Sequence, residues 1–244
     1  MYNKPFYKTE NENIFHLAPI PVYKRVFENC PITENLYFTG KRMLNPKQKL
    51  MGQELPNIYD KERQDAYEIN YNRKDEWTEN HELQPIGSRF HVPPNNFLDE
   101  YKVTPEKNSG LPDVDLIIKR IKLGFKELLW SQGHKVKINP TITESWLQYY
   151  KPTDGRGHNA HNHNRWQNYE EKSQMYSGGY YLHDGEPLKD HPYSGAFSFH
   201  LRGSKHYIRP QKGMLLIWPH DIIHSVEPFY GRVDRAVINF NIQA

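Results

Sequence analysis

From Thr141 to Ile242 the chain is a train of short β-prone runs, each cut off by glycine, proline or charged residues. The runs are Thr141 to Tyr150, Gly178 to Leu182, Gly195 to Leu201, Lys205 to Arg209, Met214 to Trp218, Ser225 to Phe229 and Arg235 to Ile242. A spacing of about 8 to 12 residues with turn punctuation is the pattern of a β-sandwich or barrel. Ahead of the train stands one helix signal. Pro112 and Asp113 open it, and Asp115 sits in the first turn, where the helix dipole favours negative charge. Val114, Ile117, Ile118, Ile121, Phe125, Leu128 and Leu129 repeat at helical spacing, and Gly133 closes the run. The opposite face carries Lys119, Lys122 and Lys126, so this helix is expected to lie on a flat apolar surface.

Residues 1 to 110 have a different texture, rich in Pro, Asn, Glu and Tyr. Ile20 to Phe27 alternates as one early strand, and Asp60 to Asn72 reads as a short helix. The remainder reads as ordered coil wrapped over the core, with Trp77, Phe90, Phe97 and Tyr101 to pack against it. The expected organisation is one structural domain: an irregular wrap over 1–110, then a helix and β core over 111–244.

Several classes drop out. No run approaches the roughly 18 apolar residues of a membrane span. The start, with Lys4 and Lys8 and no apolar stretch, is not a secretory signal. The single Cys30 excludes a disulfide framework and a cysteine-based zinc site, and points to the reducing cytoplasm. Lys+Arg 32 against Asp+Glu 29 leaves a net charge of +3, with the basic residues scattered, which indicates no nucleic-acid partner. No H-E-x-x-H or G-x-S-x-G occurs, so a metalloprotease or a serine nucleophile elbow has no support.

Histidine carries the chemistry. Among the 13 histidines, His158, His161 and His163 crowd one short segment between two predicted strands. Residues at i and i+2 on an extended segment face the same way, and about 6.6 to 6.8 Å of rise suits two imidazoles sharing one metal. His224, after the Met214 to Trp218 run and a turn at Pro219, offers a third ligand, with His206 and His220 as rivals. Imidazole ligation without cysteine suits Fe(II), Zn, Cu, Ni or Mn. Arg235 opens the last apolar run and has two readings. One is a strand-end ion pair with Asp234 or Glu227, and the other is a guanidinium turned into the barrel to hold a carboxylate.

Taken in order, Glu144-Ser-Trp-Leu-Gln-Tyr-Tyr150, His161-Asn-His163, Ser177-Gly-Gly-Tyr-Tyr-Leu182, Pro210 to Pro219, His224 and Arg235 to Asn241 resemble a family of 2-oxoglutarate/Fe(II)-dependent oxygenases. That family is found in marine bacteria and their phages and is distantly similar to prolyl 4-hydroxylases. The resemblance covers residues 139 to 243, with a looser match over 14 to 27. It implies a double-stranded β-helix, or jelly roll, with Fe(II) held by His161 and His224. It also implies 2-oxoglutarate clamped by Arg235, with Tyr150 as a hydrogen-bond partner of the cosubstrate. The implied activity is oxidation, with hydroxylation the expected form, of a small-molecule or peptide substrate by O2, with release of succinate and carbon dioxide. His158 and Trp166 lie beside the metal motif, where they either shape substrate entry or pack the loop.

Two positions depart from the pattern. The usual triad has Asp or Glu where this chain has His163. Either His163 is the third ligand, which its i+2 spacing favours, or Asp154 or Asp184 completes the site. Val237 stands where many relatives carry Ser as a second donor to the cosubstrate. Two rival functions remain at this level. Gly155, His161 and His163 fit the start of a cupin motif, but Gln167 and Asn168 stand where its Glu belongs, and Glu170 and Glu171 come late. Such a protein would be a metal-dependent isomerase or epimerase with no need of Arg235. The other rival is a catalytically silent jelly roll that binds no metal.

Overall fold

The run Met214–Leu215–Leu216–Ile217–Trp218 is apolar without alternation, the pattern of a strand covered on both faces. A computed structural model places it so. The structure describes residues 6–8, 13–17, 20–28, 31–44, 89–92, 97–102, 111–134, 139–152, 155, 157–163 and 175–244. In chain order the elements are β1 (Phe6–Lys8), β2 (Ile14–Leu17), β3 (Ile20–Val26), α1 (Pro31–Leu44), β4 (Arg89–Val92), α2 (Phe97–Tyr101), α3 (Pro112–Ser131) and β5 (Thr141–Tyr150). They continue with β6 (His158–His161), β7 (Met175–His183), β8 (Phe197–Leu201), β9 (Ser204–Ile208), β10 (Met214–Pro219), β11 (His224–Val226) and β12 (Arg235–Gln243).

The strands form two sheets. The larger runs β1-β2-β3-β10-β7-β12-β5-β4 and the smaller β6-β11-β8-β9, with every strand pairing antiparallel. Side chains alternate across the larger sheet and so divide the core in two. Leu215 and Ile217 of β10, Ala236, Ile238 and Phe240 of β12, and Leu147 and Tyr149 of β5 join the buried face of α3. Met214, Leu216, Trp218, Val237, Tyr150 and Tyr181 turn the other way and pack with Phe197, Phe199, Ile208 and Val226 of the smaller sheet. The architecture is the expected mainly-β double-stranded β-helix, with a helix layer on one outer face. No helix among the described residues is long and apolar enough to cross a membrane.

Helix α3 follows its sequence signals. Pro112 stands at the N-terminus with Asp113 and Asp115 in the first turn. Val114, Ile117, Ile121, Phe125 and Leu128 are wholly buried, each contributing on the order of 2 kcal/mol by leaving water. Gly133, at φ +85°, takes the left-handed conformation that ends the helix, and the His134 amide donates to the Leu129 carbonyl. In the Ser177-Gly178-Gly179 run, Gly178 is required for space. A Cβ there would collide with the Phe240 ring from the neighbouring β12.

The first 110 residues are more regular than the sequence indicates. Among the described residues they hold β1 to β4, α1 and α2, where the sequence shows one early strand, now β3, and a short helix over Asp60 to Asn72. Phe97 and Tyr101 do anchor α2 in the core, each nearly inaccessible. The helix expected over Asp60 to Asn72, and Trp77, lie outside the described residues.

Candidate metal centre

Strand β6 ends at His161, and β11 begins at His224. The two residues are direct partners in the antiparallel pairing, so their side chains leave the sheet on one face, next to each other. His163 follows β6 by two residues, and its amide donates to the His220 carbonyl at 3.1 Å, which holds the turn. The three rings converge: centroids lie 4.4 Å apart for His161 and His224, 5.1 Å for His163 and His224, and 5.3 Å for His161 and His163. One ring nitrogen from each falls within 4.8 Å of the others. Ligation at about 2.1 Å would draw these nitrogens closer together around one ion.

The far side of each ring fixes its tautomer. His161 Nδ1 lies 2.8 Å from the Asn159 carbonyl, and His224 Nδ1 lies 2.8 Å from the Ile222 carbonyl. A carbonyl only accepts, so both Nδ1 atoms carry a proton, and in the neutral ring the lone pair then lies on Nε2. His163 Nδ1 lies 2.8 Å from Asn241 Oδ1 and from Ser177 Oγ. Burial pushes the His224 pKa well below the ordinary 6.5, and the neighbouring His161 and His163 push the same way. Burial also lowers His163, partly opposed by the hydrogen bond to Asn241 and the charge of Glu144. His163 and His224 are therefore neutral imidazoles at neutral pH, the form that ligates.

These shifts predict a pH response. The unfolded chain begins to protonate both histidines below their ordinary value of 6.5, whereas the folded chain resists until lower pH. Their contribution to stability is complete above 6.5 and is lost as pH falls through the depressed folded values. Metal-free protein should show a urea midpoint that drops between pH 7.5 and pH 5. The drop should be smaller in His224→Gln, and equal drops in both proteins would contradict the assignment.

Of the alternative ligands, Asp184 lies past the far end of β7, 3.6 Å from His183 Nδ1, and is not brought to the three histidines. Asp154 lies outside the described residues, as do Trp166, Glu170 and Glu171. His206 and His220 stay out of the cluster, and His220 Nδ1 bonds the Met175 carbonyl at 2.8 Å. His158 stacks on His161 with centroids 4.2 Å apart and lines the same cavity.

That cavity runs from the histidines to Arg235, with about 420 Å³ of empty space, some of it continuous with solvent. Arg235 is 1 % exposed, and its guanidinium lies 4.7 Å from the Tyr150 ring centre and 5.2 Å from that of Tyr181. Tyr150 is its register partner on β5. The ion-pair reading of Arg235 does not hold, because Asp234 pairs with Lys41 at 3.1 Å and Glu227 with Lys205 at 2.7 Å. Arg235 Nε and Nη1 have no partner among the described residues. Neither does Trp218 Nε1, nor Gln148 Nε2, whose Oε1 accepts from Asn239 Nδ2 at 3.1 Å. All of these cavity atoms are N–H donors, and the described lining holds no carboxylate. Burial pushes the Tyr181 hydroxyl up to about 12, so it too keeps its proton. Sequence reasoning missed Gln148, Ser177, Trp218, Asn239 and Asn241. The signal available was the polar residues at alternate positions of β12, on the face opposite Ala236, Ile238 and Phe240.

No protein-family model matches the sequence, and no curated protein matches it. Solved structures match the fold. EvdMO1 aligns with a TM-score of 0.51 at 12% identity, over 91% of this chain and 47% of that one, so this chain spans about half its length. A Pseudomonas putida prolyl-4-hydroxylase aligns with a TM-score of 0.48 at 14% identity, over 93% of this chain and 94% of that one. A prolyl hydroxylase from Trichoplax adhaerens, solved with a hypoxia inducible factor oxygen degradation domain peptide, aligns with a TM-score of 0.49 at 12% identity, over 90% and 82%.

Proposed function

We propose that the chain is an Fe(II)- and 2-oxoglutarate-dependent dioxygenase, with His161, His163 and His224 as the iron ligands and Arg235 as the cosubstrate clamp. One observation carries this reading. A cluster of three imidazoles opens into a cavity whose far end holds a buried arginine without an acidic partner among the described residues. The donor set fits both groups. Imidazole nitrogens suit Fe(II), and a cavity whose unpartnered buried polar atoms are N–H donors and whose described lining holds no carboxylate suits a dianion. Three neutral imidazoles leave the metal's charge uncompensated and Arg235 adds to it, which favours a dicarboxylate further.

Iron with 2-oxoglutarate supplies oxidative decarboxylation of the cosubstrate and oxidation of a substrate C–H bond by O2, giving succinate and carbon dioxide. The chain's own residues bind and orient. Arg235 would hold the distal carboxylate, its own guanidinium placed over the Tyr150 and Tyr181 rings. Gln148 is the register partner of Val237, so its Nε2 stands beside the position that lacks the family's serine and supplies a donor there. Trp146, Phe197 and Trp218 give the metal end an apolar wall. A small molecule or peptide is the expected substrate, in a cytoplasmic setting.

The test is an anaerobic titration of metal-free protein with Fe(II) and 2-oxoglutarate, read by visible absorbance. A weak charge-transfer band that needs both additions is expected, followed by succinate on admitting O2. Metal uptake with no such band and no succinate would overturn the reading in favour of a cupin-like protein. No metal uptake at all would leave a silent binding protein.

A further inference from the structure

We infer that Asn241 is a positioning residue that couples the carboxylate of Glu144 to the His163 imidazole, so that an acid missing from the ligand set acts on the metal site through two hydrogen bonds. The inference rests on the proposal that His163 is a ligand.

The register makes the coupling possible. Asn241 on β12 pairs with Glu144 of β5 on one side and Ser177 of β7 on the other, so all three side chains project from the same face. Asn241 Nδ2 donates to Glu144 Oε2 at 2.7 Å. A carboxylate accepts and does not donate, so this bond fixes which way the amide faces. Asn241 Oδ1 is thereby turned toward His163 Nδ1 at 2.8 Å, and it also accepts from Ser177 Oγ at 2.8 Å. The carbonyl end of the amide requires a proton on His163 Nδ1, which leaves the lone pair on Nε2. The orientation of a ligand is thus set from two residues away.

His163 differs from its neighbours in this. His161 and His224 present Nδ1 to backbone carbonyls, which carry no charge. His163 is tied, among the described residues, to a run of side chains that ends in a carboxylate. It is also the residue standing where the family resemblance expects Asp or Glu. A hydrogen bond polarised by a carboxylate makes the imidazole a stronger donor of its Nε2 lone pair. Asn241 is 7 % exposed and Ser177 fully buried, so water does not replace these contacts, whereas Glu144 reaches the surface.

Two readouts on the same proteins test this. In metal-free protein with ¹⁵N-labelled histidine, long-range N–H correlation spectra report the tautomer of each ring. Wild type should hold His163 with its proton on Nδ1. Glu144→Gln, a surface change that leaves the core untouched, frees Asn241 to turn over and should give mixed tautomers. Asn241→Leu should do the same, and Asn241→Asp, which keeps the acceptor, should restore the wild-type form. Co(II) titration followed by its visible bands should show about a tenfold or greater loss of affinity in Asn241→Leu, and about threefold in Glu144→Gln. An unchanged His163 tautomer in both Glu144→Gln and Asn241→Leu, with Co(II) still bound, would overturn the inference alone. Wild-type protein that takes up no Co(II) would overturn the ligand proposal and, with it, the purpose assigned to the coupling.

Discussion

His224→Ala should weaken Fe(II) or Co(II) binding by more than about a hundredfold, beyond the roughly 10- to 100-fold that loss of an outer supporting residue costs. His224 touches both other rings, is 4 % exposed, and has its Nδ1 proton committed to the Ile222 carbonyl. Removing it takes away the one nitrogen that the smaller sheet's interior strand contributes, and the other two ligands come from a segment of three residues. Its ring also packs on Phe197 and Trp218, with centroids at 5.4 and 5.0 Å, so the alanine leaves a gap. His224→Gln fills that gap without restoring an imidazole, and it should bind metal as poorly. His206→Ala, outside the cluster, should bind like wild type. Calorimetric titration of metal-free protein under argon, with circular dichroism to check folding, reads all three. Wild-type affinity in a folded His224→Ala would remove His224 from the metal site.

The C-terminal half was legible because its strands carry two signals at once. In β12, Arg235-Ala-Val-Ile-Asn-Phe-Asn alternates, and the alternation separates a helix-facing set (Ala236, Ile238, Phe240) from an inward set that is mostly polar. In β10, the unbroken apolar run announces burial on both faces. Helix α1 was missed for a physical reason. Among its residues of described burial, the buried ones are Thr33, Leu36, Tyr37 and Gly40, which is helical spacing, but threonine and glycine stand where apolar residues mark a face. Gly40 is small because the Tyr149 and Leu147 side chains occupy that space, a fact of tertiary packing that leaves no trace in local sequence. The strands β1 and β2, of three and four residues, are too short for a period to show.

The site divides along the same line. His161, His163 and His224 were visible from spacing and from the strands that carry them. Arg235 was visible but ambiguous, and what weighs against its ion-pair reading, the engagement of Asp234 by Lys41 and of Glu227 by Lys205, appears only in the fold. Both lysines come from elsewhere in the chain. Asn241 and Glu144, 97 residues apart, acquire meaning only from the register of β12 against β5. Pairing register is set by the whole sheet and cannot be read from either strand alone.

Arg235→Met should lower affinity for 2-oxoglutarate by roughly two to three orders of magnitude while leaving Fe(II) binding in place. Removing one partner of a buried charge pair costs about 3 to 5 kcal/mol, because the other charge is stranded. Here the stranded charge would be the cosubstrate's distal carboxylate, facing Tyr150 and Tyr181 in a cavity with no other cation among the described residues. The same substitution should act in the opposite direction on the ligand-free fold. Arg235 is 1 % exposed, with Nε and Nη1 unpartnered among the described residues, so its buried charge rests on the Tyr150 and Tyr181 rings with no acidic partner among those residues. Buried ionic groups replaced by apolar side chains of similar volume are often neutral or stabilising to the fold. Wild-type protein should therefore melt at a temperature that rises with 2-oxoglutarate, since the ligand binds only the folded state. Arg235→Met should melt at or above the ligand-free wild type and should not respond to 2-oxoglutarate. Thermal melts with and without the cosubstrate, alongside Fe(II) titration as the check on the metal end, separate the two roles open to this residue. A variant that melts lower than ligand-free wild type and still responds to 2-oxoglutarate would make Arg235 a structural brace between its two tyrosines. A variant that is stable, binds iron and ignores the cosubstrate would mean that the chain retains a destabilising buried cation because the cation binds a ligand.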